Sequence, residues 1–158
     1  MKIELRRINH NPKLSEETNA YSAEVWIDGE RAFDARNQGQ GGCDHYRQIG
    51  QWTEAEVNAW LKSNRPILPF QGLTLEHDLE VEVGDLLAHE LEHRRLKRLM
   101  RTNLVTIERG QIFQYPLRKR PLDLVASAVT TTNSHIVIVN GGDDNVIRQA
   151  LVILLDVS

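Results

Sequence analysis

Two histidines four residues apart enclose a glutamate in the segment His89-Glu90-Leu91-Glu92-His93. On a helix this spacing brings both imidazoles to one side, where they can share a zinc ion while Glu90 polarises a metal-bound water. The chemistry would be zinc-dependent hydrolysis, with a peptidase as the leading case. Such a site needs a third ligand, and the residues after His93 are Arg94-Arg95-Leu96-Lys97-Arg98-Leu99, without the glycine turn and histidine of the extended motif. Glu108, His135 and His77 are the remaining candidates. Arg94, Arg95, Lys97 and Arg98 also crowd the motif with positive charge, which opposes a dication. The competing reading is a helical stripe of His89, His93, Leu96 and Met100 that packs on the body of the protein or on a partner. We take the stripe as the expectation and zinc as the alternative cofactor.

A second group of reactive types is Cys43-Asp44-His45. Nucleophile and base are usually brought together by the fold and not by sequence adjacency, so a buried or half-buried thiol that anchors its loop is expected instead. The glycines just before it, Gly39, Gly41 and Gly42, could offer backbone N–H groups to an anion. The lysine and Ser/Thr of a phosphate-binding loop are missing, and no helix follows directly. Gly41, Gly42, Cys43 and His45 are therefore read as a shaped loop and a candidate contact surface. Arg94, Arg95, Lys97, Arg98 and Arg101 form a candidate interaction surface on a helix, and Arg118-Lys119-Arg120 a second basic cluster. Neither cluster has interleaved aromatic residues, so the stacking platform for single-stranded nucleic acid is missing.

The whole chain sets the limits on these readings. Its 158 residues suit one domain with its own core, spanning 1–158. A net charge of −3 disfavours a general nucleic-acid coat, which needs a large cationic surface to displace counterions. A single cysteine excludes an intramolecular disulfide and points to the cytosol. The amino-terminal residues lack the apolar run of a signal peptide, and no segment has the length and apolarity to span a bilayer.

The elements that must position these residues follow from periodicity. Lys2 to Asn9 alternates as a half-buried strand with Ile3, Leu5 and Arg7 on one side. Tyr21 to Arg36 reads as two strands joined at Asp28-Gly29, a pair suited to the positive φ of a tight hairpin turn. Thr53 caps a short helix, with Glu54 and Glu56 complementing its dipole. Pro66 to Gly72 is expected to cross the core as extended chain. Leu75 to Arg101 is acidic early and basic late, the arrangement a helix dipole favours, with Gly84 a candidate kink and Thr102-Asn103 the close. Leu104 to Tyr115 is a second hairpin around Arg109-Gly110. Leu122 to Val129 is a short helix after Pro121, followed by a polar turn at 130–134. His135 to Val139 reads as a central strand, and Asp143 or Asp144 caps a last helix. The apolar tail 151–155 is buried as helix or strand. These elements predict an α+β fold: a mainly antiparallel sheet, from two hairpins plus a central strand, packed with one long charged helix and two or three shorter ones.

The segments SEETNAYSAEVWIDGE and NQGQGGCDHY resemble an uncharacterised family of small bacterial and mobile-element proteins, which share a pattern of SEET, strand, turn, strand and N-x-G-x-G-G-C. The likeness is clearest over the first third of the chain and carries no activity or site residues. It implies a phage, prophage or plasmid accessory protein. With no complete active site legible, the reading is a non-enzymatic protein that docks on a host protein, such as a bacterial defence or regulatory protein that it inhibits. A second copy of the chain is a further candidate partner. The zinc hydrolase stands second and a nucleic-acid-binding module third.

Overall fold

The computed structural model describes residues 1–157. The fold is α+β: the described residues form four α-helices and nine strands, and the largest sheet is antiparallel. The chain forms two compact units, Met1–Leu87 and a second from Ala88 onward. The strands make three separate sheets of four, two and three strands instead of one. No helix among the described residues is long and apolar enough to cross a membrane.

In the first unit, β1 (Ile3–His10), β2 (Tyr21–Ile27), β3 (Glu30–Asn37) and β4 (His45–Gln48) pair in chain order, each antiparallel to the next. The β2–β3 turn is Asp28-Gly29 with φ of 50° and 86°, as the sequence predicts. Alternation gives the sheet two faces. Tyr21, Ala23, Val25 and Ile27 of β2 are buried, opposite Ala35 and Phe33 of β3 and Ile3 of β1. Arg7 leaves the inward set because a bulge opens between Arg6 and Asn9, where Arg7 takes a φ of 51° and is exposed. A second bulge, between Val25 and Trp26, lets both Ala32 and Phe33 be buried.

Helix α1 (Glu54–Asn64) starts with a capping box: the Thr53 hydroxyl accepts from the Glu56 N–H, and the Glu56 carboxylate accepts from the Thr53 N–H. Its buried side chains are Val57 and Leu61. The segment after it is extended but does not cross the core. It forms the hairpin of β5 (Leu68–Phe70) and β6 (Leu73–Leu75), turning at Gln71-Gly72, with Ile67, Leu73 and Leu75 exposed. This hairpin holds Leu75 in a strand, so α2 (Leu79–Thr102) begins later than its charge pattern suggests. The Asp78 carboxylate accepts from the Val81 N–H and Asn58 from the Leu79 N–H, which satisfies two backbone donors that have no intrahelical partner at the start of α2. Leu79, Val83 and Leu87, four apart, are buried. Gly84 does not split the helix.

In the second unit, β7 (Asn103–Glu108) and β8 (Gln111–Pro116) form the expected hairpin, with Arg109 and Gly110 at φ of 51° and 73°. Helix α3 (Leu122–Thr132) runs into the expected turn at 130–134, and there the hydroxyls of Thr130, Thr131 and Thr132 donate back to carbonyls of the preceding turn. The apolar run near residue 137 is not a central strand. β9 is only Val137–Ile138, and it lies at the edge beside β7. The carboxylate of Asp143 caps α4 (Asp144–Val157), which settles the tail as helix. That tail is not buried all round: Leu151 is enclosed, but Val152 is 55% exposed. Leu96, Val105, Val139, Ala150 and Leu151 form the buried cluster of this unit, with Met100 and Ile147 packed against it.

Candidate functional site: a charged sheet face and a locked loop

The register of the four-stranded sheet assembles a cluster on its outer face. Arg6 lies opposite Glu24, Glu24 opposite Asp34, and Asp34 opposite Arg47; in the next row Ser22 faces Arg36, and Arg36 faces His45. This face forms an open cleft of about 700 Å³. Glu24 is 8% exposed despite pointing outward, because three donors close over it. Arg7 and Arg31 reach its Oε1 at 3.2 and 3.3 Å, and the Trp26 indole donates to its Oε2 at 3.0 Å. Arg6 stacks 4.0 Å above the Trp26 ring. Asp34 accepts from Arg47 and from Arg31, and these bonds hold its carboxyl below the ordinary aspartate value of 3.8. Arg36 and His45 are exposed, with no polar partner among the described residues. The surface is a checkerboard in which arginines surround carboxylates.

On the inner side, the loop from Asn37 to Asp44 is locked by one side chain. The Asn37 amide nitrogen donates to the Gly42 carbonyl and to the Asp44 carboxylate, both at 2.9 Å. Its amide oxygen accepts from the Gly39 N–H at 2.8 Å and from the Thr18 hydroxyl at 2.9 Å. The other oxygen of Asp44 accepts from the hydroxyls of Tyr21 at 2.5 Å and Tyr46 at 2.9 Å. Burial, reinforced for Tyr21 by its bond to Asp44, raises both phenols far above the ordinary tyrosine value. Thr18, Asn37, Gly39 and Gly41 lie in the SEET and N-x-G-x-G-G-C segments and Asp44 directly follows them; the Gly41 N–H donates to the Thr18 hydroxyl, and together these residues fix the loop.

A third polar cluster is buried in the first unit. Arg65 donates to both oxygens of Glu82, at 3.1 and 2.7 Å, and His77 Nε2 meets the same carboxylate at 2.7 Å. Burial raises the Glu82 pKa, but the bonds from Arg65 and His77 outweigh it, so the group sits below its ordinary value of 4.5. His77 Nδ1 is buried without a hydrogen-bond partner.

Cys43 is exposed, not buried or half-buried, because Asn37 rather than the thiol anchors the loop. Asp44 points to the tyrosines, and His45 lies on the outer sheet face, so this trio forms no nucleophile–base pair. Gly41 and Gly42 are exposed. Glu90 pairs with Arg94 at 2.8 Å and Glu92 with Arg95 at 2.8 Å, while Arg98 and Arg101 are exposed. His89 and His93 do face one groove, described below. Of the candidate third ligands, Glu108 accepts from Thr106, Tyr115 and Asn133, His77 is engaged by Glu82, and His135 is exposed. No group of three or more His, Cys, Asp or Glu side chains among the described residues is placed to hold a metal ion.

The outer-face cluster was not found from the sequence. Its members run from Arg6 to Arg47, and only strand register unites them; the available signal was the alternation Ser22, Glu24, Trp26 and Asp34, Arg36 opposite the apolar set. Comparison with known proteins adds no constraint: no family model, no curated protein and no solved structure matches the chain.

Proposed function

We propose that the protein is a non-enzymatic accessory protein of a phage or other mobile element, and that it acts by docking on a host protein through the outer face of its four-stranded sheet. The observation that carries this reading is the checkerboard of that face. A phosphate backbone presents one sign of charge and would meet Glu24 and Asp34 as well as the arginines. A folded protein surface carries both signs, so it can match each row of the face. The unpaired Arg36 and the exposed Arg7 and Arg47 give the rim an excess of positive charge, which suits a partner with an acidic patch. The likeness of the SEET and N-x-G-x-G-G-C segments to mobile-element proteins supports the biological setting, and inhibition of a defence or regulatory protein is the role such a setting favours.

Arg36→Glu tests this directly, because Arg36 has no partner whose loss would disturb the fold. The wild type should recover a defined protein from host lysate after nuclease treatment. That protein, once purified, should bind the wild type and lose at least about tenfold in affinity with Arg36→Glu. Equal binding by both forms, or recovery only of nuclease-sensitive material, would overturn the reading.

A further inference from the structure

In the second unit the last turns of α2 carry two kinds of charge. Glu90 with Arg94, and Glu92 with Arg95, neutralise one another within the helix. His89, His93 and Lys97 also recur every four residues, yet none has a polar partner among the described residues. They line a groove of about 380 Å³, to which α4 adds Arg148, likewise without a partner, and Asp144. Residues four apart on a helix have Cβ atoms about 5 to 6 Å apart, so His89, His93 and Lys97 form a continuous row. Met100, Ile147 and Leu151 supply an apolar lining, and Leu151 is almost fully buried.

We infer that this groove binds an oxyanion, phosphate or carboxylate, carried on a small apolar group. Lys97 and Arg148 are permanent cationic donors at neutral pH, and each imidazole keeps at least one N–H donor in either protonation state. Arg94 and Arg95 nearby meet carboxylates of their own helix, whereas these four donors share one groove with a single acid, Asp144. The apolar lining adds affinity for a ligand with a hydrophobic body and gives little to a bare ion. The cations Lys97 and Arg148 that count against a bound zinc favour an anion at the same histidines. This site is separate from the sheet face in the docking proposal and does not depend on it.

The test is a titration followed by the imidazole resonances of His89 and His93 in NMR spectra, assigned with His89→Asn and His93→Asn. Phenyl phosphate is expected to move both resonances saturably and to bind at least several-fold tighter than inorganic phosphate. Lys97→Ala and Arg148→Ala should each weaken phenyl phosphate by about tenfold, since each removes one charge-assisted bond. Asp144→Asn should tighten it, because it removes the only opposing charge. All three positions are exposed, so the variants should fold, as their unchanged amide spectra would show. The proposal fails if phenyl phosphate leaves both resonances in place, or moves those of His10, His45 and His135 equally. Equal affinity for inorganic phosphate would also overturn it, as would a response to zinc chloride alone, which would make the groove a metal site.

Discussion

The side-chain amide of Asn37 donates to the carboxylate of Asp44 at 2.9 Å, tying the end of β3 to the residue just before β4. The amide's donors and acceptor are all used, on Gly42, Asp44, Gly39 and Thr18. Asn37→Ala should therefore cost about 2 to 3 kcal/mol, since it strands several partly buried partners at once. Asn37→Asp should be at least as harmful, because it sets a second carboxylate against Asp44. Denaturant midpoints of the two variants check both statements; a loss under about 0.5 kcal/mol would show that water replaces the amide.

The glycines of the same loop should differ sharply. Gly39 has a φ of 87°, and a Cβ there would lie 2.1 Å from the Leu14 carbonyl oxygen. Gly42 has an ordinary φ and open space around it. Gly39→Ala is expected to destabilise by about 2 kcal/mol or more, and Gly42→Ala to stay within about 0.5 kcal/mol of wild type. Thermal unfolding of the pair separates them.

These two cases show what the sequence could and could not reveal. Asp28-Gly29, Arg109-Gly110 and the Thr53 cap were legible because each is decided by a few adjacent residues with one physical role. β4 gives no signal because in His45-Tyr46-Arg47-Gln48 the inner face carries only Tyr46 and the polar Gln48, and one aromatic residue makes no apolar pattern. The run near Val137 looked like a central strand because its apolar residues are partly enclosed, yet only two of them pair. Hydrophobicity records enclosure and is silent about hydrogen-bond partners. The HExxH spacing correctly gave a shared face for His89 and His93, but what lies across from them, Arg148 and Asp144, is some 50 positions away and had no signal of its own.

Glu82→Gln probes the buried cluster with Arg65 and His77. Because the carboxyl of Glu82 is held below 4.5, its stabilising effect is complete above that pH and is lost as the pH falls through the lower folded value. The variant should be about 1 to 3 kcal/mol less stable than wild type at neutral pH. The two should converge in acid, where the protonated carboxyl resembles the amide. Denaturant midpoints measured across the acid range check this; a gap independent of pH would show that the ion pair contributes nothing.

Gly84 is exposed inside α2, and an added Cβ would meet nothing within 4 Å. Gly84→Ala should stabilise the protein by about 0.5 to 1 kcal/mol, the difference in backbone freedom lost on forming a helix. A raised thermal midpoint is the expected result. A lowered one would mean that this point of the helix must bend.

Asn37 and its partners also bear on what it means to share the SEET and N-x-G-x-G-G-C segments. Thr18, Asn37, Gly39 and Asp44 spend their polar atoms on one another, facing inward, while the row of Ser22, Arg36 and His45 is on the other face of the same sheet. Chains gathered by those segments would have a common lock in their first third and would be free to diverge on the side that meets other molecules. The outer-face residues, compared within such a group, are the ones that would sort its members by partner.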